Sequence, residues 1–131
     1  MLLSVKQRYV MEVLKRLGCI RRDQLYILTR DRFKTEEFTL SENQMDALLR
    51  QLPFLVNDIR LENGYVRKPE AEPMPLRDEA IDVMLELSNG YPIRFYAVQD
   101  SPIVLRSSLG SDPPRRYAVA VYSDAAAAIE P

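Results

Sequence analysis

Ser41 is followed three residues later by Gln44, and further on stands the pair Asn63-Gly64. The first spacing is a helix start. The serine hydroxyl can accept from the Gln44 amide, and the glutamine side chain can reach back to the Ser41 amide. The second is a hairpin turn, because two successive residues with positive φ are needed there and Asn-Gly supplies them at least cost. A capped helix followed directly by a two-stranded ribbon is a strong restriction on topology, and two helical stretches precede it.

Ser4 heads the first of these, predicted through Leu17. Val5, Tyr9, Val10, Val13, Leu14 and Leu17 follow the three-and-four spacing of one buried face. Gly18 stands where helix ends favour glycine. Cys19-Ile20-Arg21 reads as a minor strand. A second helix is predicted over Arg22 to Arg30, with Asp23 in its first turn, where negative charge suits the helix dipole. Phe33 and Phe38 are expected to pin the polar link 31–40 to the core. The third helix is predicted over Ser41 to Leu52, with Met45, Leu48, Leu49 and Leu52 inward and Pro53 as its stop. Leu55 to Leu61 and Tyr65 to Lys68 are then the two hairpin strands.

Residues 69–75 hold three prolines and read as a stiff connector. Beyond it, Leu76 to Ser88 reads as a helix ended by Asn89-Gly90. Ile93 to Val98, Ile103 to Arg106 and Arg116 to Tyr122 read as strands, with Gln99 to Pro102 turning between the first two. The expected class is α+β: a unit over 1–68, a proline-rich connector over 69–75, and a small helix-plus-sheet unit over 76–131. At roughly 55 residues the last is marginal alone, so it is expected to pack on the first unit or on a second copy.

The net charge of −1 is unevenly spread. Residues 1–68 hold 13 basic and 9 acidic side chains, and residues 69–131 hold 5 and 10. A basic first half and an acidic second half suggest surfaces with different partners. With no histidine and one cysteine, Cys19, the chain lacks the commonest general base and any disulfide or cysteine cluster for zinc. Cys19 reads as a small buried apolar group. No glycine-rich phosphate loop occurs, Ser107 to Ser111 is a serine-rich loop without a base, and Glu79, Asp82 and Glu86 read as the wet face of one helix. No catalytic residue, metal or cofactor is therefore expected. No apolar run approaches the ~20 residues that span a bilayer, and no signal-peptide pattern is seen, so the cytoplasm is the expected location.

In chain order these elements are those of a winged helix-turn-helix: three helices, then a β-hairpin wing. Such a fold presents its third helix to the major groove of double-stranded DNA. Asn43, Gln44, Ala47, Arg50 and Gln51 are residue types that meet base edges. Arg21, Arg22, Lys34, Arg60, Arg67 and Lys68 are the candidate phosphate contacts, with Arg21-Arg22 at a helix start the most suggestive pair. Lys6, Arg8, Arg30 and Arg32 add to the basic set. Glu42 and Asp46 on the third helix count against DNA. The rival reading is a protein-interaction adaptor on the same fold. Both turn on whether the polar side of Ser41 to Leu52 faces outward beside positive charge. Tyr91, Tyr96, Tyr117 and Tyr122 read as packing residues rather than base-stacking ones. The stretch Tyr117 to Tyr122, apolar on both faces, is either a central strand or an edge through which a homodimer forms.

The run Leu14-Lys15-Arg16-Leu17-Gly18-Cys19-Ile20-Arg21-Arg22-Asp23-Gln24-Leu25 joins a helix end, a short apolar link and an arginine-glutamine-leucine helix start. With it, the span Leu3 to Lys68, about half the chain, resembles the winged-helix front of replication-relaxation-type proteins and of uncharacterised mobile-element proteins. The capped third helix, the Asn63-Gly64 hairpin and the charge split lead to the expectation of a non-enzymatic DNA-binding protein, dimeric, in transcription regulation or plasmid-type replication control. In the proteins that this span resembles, the second part is sometimes similar to a nuclease-like fold, a helix followed by three strands. That order is present here, but Arg116 to Tyr122 carries no Glu-x-Lys. The distant third reading is thus a degenerate nuclease-like protein.

Overall fold

The computed structural model describes residues 2–100, 102–110 and 113–120. Its class is α+β, with four helices and two three-stranded antiparallel sheets: α1 Val5–Leu17, β1 Cys19–Arg21, α2 Arg22–Phe33, α3 Glu42–Leu55, β2 Arg60–Glu62, β3 Tyr65–Arg67, α4 Pro75–Ser88, β4 Ile93–Asp100, β5 Ile103–Leu109 and β6 Arg115–Ala120.

Local chemistry sets the helix starts. Ser4 and Ser41 each accept from the amide three residues on, at 3.1 Å, and Gln7 and Gln44 each accept from the cap amide at 2.9 Å. Gly18 ends α1 at φ +77°, and its N–H donates to the Leu14 carbonyl at 2.7 Å. A Cβ added there would stand 3.1 Å from Ala71 Cβ, so this glycine serves both the turn and the close passage of the connector. Asn63 and Gly64 both have positive φ, as a two-residue hairpin turn requires. β3 is central in the first sheet, with Ile20 opposite Val66 on one side and Leu61 opposite Val66 on the other.

Several boundaries differ from the sequence reading. α2 runs on to Phe33. α3 runs through Pro53 to Leu55, because a proline near the end of a helix forfeits only one bond while the Val56 N–H still donates to the Leu52 carbonyl. Leu55 is therefore helical, and the first hairpin strand shrinks to Arg60–Glu62. Ser107 to Leu109 lie in β5 rather than in a loop. Val5, read as inward, is more than half exposed, and so are the apolar Val83 and Leu87 of α4. Val121, Tyr122 and the segment beyond lie outside the described residues.

One core cluster takes in both halves of the chain: Val10, Leu14, Ile20, Leu25, Met45 and Leu52 pack in it with Ile81, Met84, Phe95 and Leu105. Burying each such side chain contributes roughly 1.5–3 kcal/mol. The helix-plus-sheet unit thus rests on the first unit, α4 against α2 and β4 against α1. A polar seam crosses the joint. The buried Gln24 amide donates to the Asp78 carbonyl (2.8 Å) and to Asp82 Oδ1 (2.9 Å), and Tyr65 donates to Asp78 Oδ2 (2.6 Å). Arg77, also buried, donates to the carbonyls of Val104 and Val98, which fixes α4 to the second sheet; its burial lowers its pKa.

Candidate nucleic-acid interface

α3 turns a polar side outward. Asn43, Gln44, Arg50 and Gln51 are exposed and Ala47 is half-buried. Two of these five side chains are partly committed within the protein. Gln44 gives its oxygen to the helix cap, and Gln51 accepts from Gln7 at 3.4 Å. Asn43 and Arg50 remain the side chains best able to donate to a base edge; Arg50 makes no ion pair among the described residues, only a long bond to the Asp46 carbonyl (3.4 Å).

The expected flank of positive charge is present but ion-paired. Arg21 donates twice to Asp23, at 3.0 Å, and once to Asp82, at 2.8 Å. That fork raises the guanidinium's pKa and holds the Asp23 carboxyl below its ordinary value. Arg22, at the start of α2, pairs with Asp46 on the outward side of α3. Arg67 pairs with Glu62 across the hairpin and donates to the carbonyls of Lys68, Pro69 and Ala71. Lys68 stands 3.9 Å from Asp58. Of the six candidate phosphate contacts, only Lys34 and Arg60 have no carboxylate partner among the described residues, and Arg60 donates to the carbonyls of Asn57 and Ile59. Beside the hairpin, a recess of about 450 Å³ is lined by Glu62, Glu70 and Glu72. Asp82 is exposed, as read for the wet face of its helix, and is also a partner of Arg21 and Gln24. Arg22, Lys68 and the Asp82 bond of Arg21 find these partners far along the chain, where no local spacing shows them.

Magnitude decides what the pairing means. Arg21, Arg22 and their carboxylates are partly exposed, and exposed pairs contribute about 0–1 kcal/mol. A phosphate can displace one cheaply, but the carboxylate left beside it repels the backbone. The net attraction per arginine falls accordingly.

A second basic place was not assembled in the sequence reading. A cavity of about 540 Å³ lies between α1, the end of α2 and the second sheet, lined by Arg8, Arg16, Arg32 and Arg94 with Tyr9 and Phe33. Burial pushes the Tyr9 phenol up to about 12, although Arg16, Arg32 and Arg94 pull it down. Arg8 and Arg32 stood in the basic set; Arg16 and Arg94 did not, and no local spacing joins residues of three separate elements.

Cys19 is buried, and burial, then Asp78, pushes its thiol up to about 11, so it is a neutral packing group at physiological pH. Among the described residues no group of three or more acidic or cysteine side chains is placed to hold a metal ion, and no helix is long and apolar enough to cross a membrane.

Comparison with models of known families, with curated proteins and with solved structures finds no match to this chain.

Proposed function

We propose that residues 1–68 are a winged helix-turn-helix and that the protein is a non-enzymatic, cytoplasmic DNA-binding regulator. The observation that carries the reading is the sheet order β1-β3-β2 in a chain that runs α1-β1-α2-α3-β2-β3. It puts the hairpin directly after a capped helix whose polar side is exposed. In this reading Asn43, Ala47 and Arg50 meet base edges, Lys34 and Arg60 meet phosphates, and Arg22 joins them when a phosphate displaces Asp46. A homodimer through the edge strand β6 is part of the same proposal. The resemblance to replication-relaxation-type proteins supports a role at a mobile element.

The ion pairing gives the reading a quantitative form. Each net phosphate contact adds about 0.9 to the slope of log affinity against log salt. With so few unpaired cations, the slope expected here is shallow, about −2 to −3. The test is retention of duplex DNA by the full chain across a salt series, with Arg50→Ala. Expected are the shallow slope and, in Arg50→Ala, weaker discrimination among sequences. Absence of retention at low salt overturns the reading.

A second reading, the protein-interaction adaptor, is favoured by two observations. One is the carboxylate pairing. The other is an apolar stripe on α4, where Leu76, Val83 and Leu87 share a face at helical spacing and are all exposed. The same salt series separates the two, since an adaptor retains no duplex.

A further inference from the structure

We propose that the cavity between α1, the end of α2 and β4 binds a small molecule carrying two or three linked phosphates. This goes beyond the duplex reading and uses none of the residues to which the proposal above gives a DNA contact.

Arg8 and Arg16 come from α1, Arg32 from the last turn of α2 and Arg94 from β4. Among the described residues none of the four forms an ion pair. Among the described residues, Glu12 is the one carboxylate lining the cavity. Gathering four guanidiniums against one carboxylate costs Coulomb energy, which an anion in the cavity reverses. The planar guanidinium fork matches phosphate oxygens in pairs. Arg16 makes the strongest case. Its Nε–H is withdrawn from solvent and has no acceptor among the described residues, a costly state for a buried donor. Its guanidinium is steadied 5.9 Å over the Tyr96 ring, and that of Arg32 5.2 Å over Phe33. Tyr9 keeps its proton and so offers one more donor.

Size and shape select the ligand. A volume of about 540 Å³ suits a nucleotide-sized molecule. A duplex carries its phosphates on the outside of a wide rod and cannot enter. Among the described residues four arginines against Glu12 leave a surplus of three positive charges, which matches a diphosphate or triphosphate better than a single phosphate. The Tyr9 and Phe33 rings, edge to face at 5.5 Å, give an apolar wall for a base.

Titration calorimetry of the full chain in magnesium-free buffer tests this with inorganic triphosphate, ATP and adenosine. Triphosphate and ATP are expected to bind and adenosine not to. Equal binding of the first two assigns the site to the phosphate chain; tighter ATP adds the ring wall. Arg94→Ala and Arg32→Ala, both at exposed positions that leave the core intact, are each expected to weaken binding about tenfold. Arg106→Ala, on β5 outside the cavity, is expected to change nothing. No binding of either polyphosphate overturns the proposal. So does adenosine binding as tightly as ATP, or an equal loss in Arg106→Ala, which marks diffuse charge. If Arg94→Ala instead weakens duplex retention while triphosphate fails to bind, the arginines serve DNA and the proposal also falls. Failure of the duplex reading alone appears as lost duplex retention with triphosphate binding intact.

Discussion

The α3-and-hairpin face and the arginine cavity draw on the same basic half of the chain, yet their charges are arranged in opposite ways. On the face, Arg21, Arg22, Arg67 and Lys68 each stand by a carboxylate from a neighbouring element. Around the cavity, four arginines stand with no ion pair among the described residues. Net charge over a stretch of sequence says nothing about which cations are already neutralised. Part of the surplus of residues 1–68 lies away from the α3-and-hairpin face, at Arg8, Arg16 and Arg32. Paired cations hold elements in place; unpaired ones are available to a ligand.

The largest effect expected tests whether the face's carboxylates are structural. Gln24 is fully buried and joins α2 to α4 through Asp78 and Asp82, the latter also the partner of Arg21. Gln24→Ala leaves a cavity and removes both bonds that the amide donates across the joint, and roughly 2–4 kcal/mol of destabilisation is expected in urea unfolding. A loss under half a kcal/mol would mean that the seam does not hold the units together.

A smaller effect sharpens the contrast directly. Asp46→Asn frees Arg22 at the start of α2 and removes a charge that repels phosphate. Duplex retention at low salt is expected to tighten by about three- to tenfold, and the salt slope to steepen by about one. Triphosphate binding at the cavity stays as it was. If Asp46→Asn leaves duplex retention unchanged, the α3 face does not meet DNA.

What the sequence made legible, and what it hid, follows the same division. Ser41 with Gln44, Asn63 with Gly64, and Gly18 act through neighbours within a few residues, so their geometry was readable. So were the strand Cys19–Arg21 and the stop at Asn89. The end of α3 was not. A rule about proline placed it at Leu52, while the buried Leu52 and a closing bond from Val56 carry the helix to Leu55. The pairs Arg22–Asp46 and Arg21–Asp82 depend on how α2 meets α3 and α4, which no local pattern states. For the same reason the outward residues of α3 were found and their flanking charge was misjudged. The apolar run at Tyr117 belongs to an edge strand, with Tyr117 half-buried; its last two residues lie outside the described ones.

The smallest effects lie in the pH dependence of stability, where the two regions act at opposite ends. At the cavity, Tyr9 stays protonated in the folded state up to about 12, against 10.0 when unfolded. Its contribution is complete below 10.0 and is lost as pH rises from there toward about 12. Cys19 and Tyr65, pushed up to about 11 and about 12 by burial and by the bond to Asp78 respectively, add to the same alkaline loss. At the face, the Arg21 fork lowers the Asp23 carboxyl below 3.8, so its contribution is present above that value and fades as pH falls through the lowered one. Asp23 is largely exposed, so solvent screens most of this. Tyr9→Phe is therefore expected to flatten the alkaline limb measurably and Asp23→Asn to flatten the acid limb only slightly, each leaving the other limb alone. If Tyr9→Phe leaves the alkaline limb unchanged, the phenol is not withdrawn from water, and the cavity's inner wall is wetter than its lining implies.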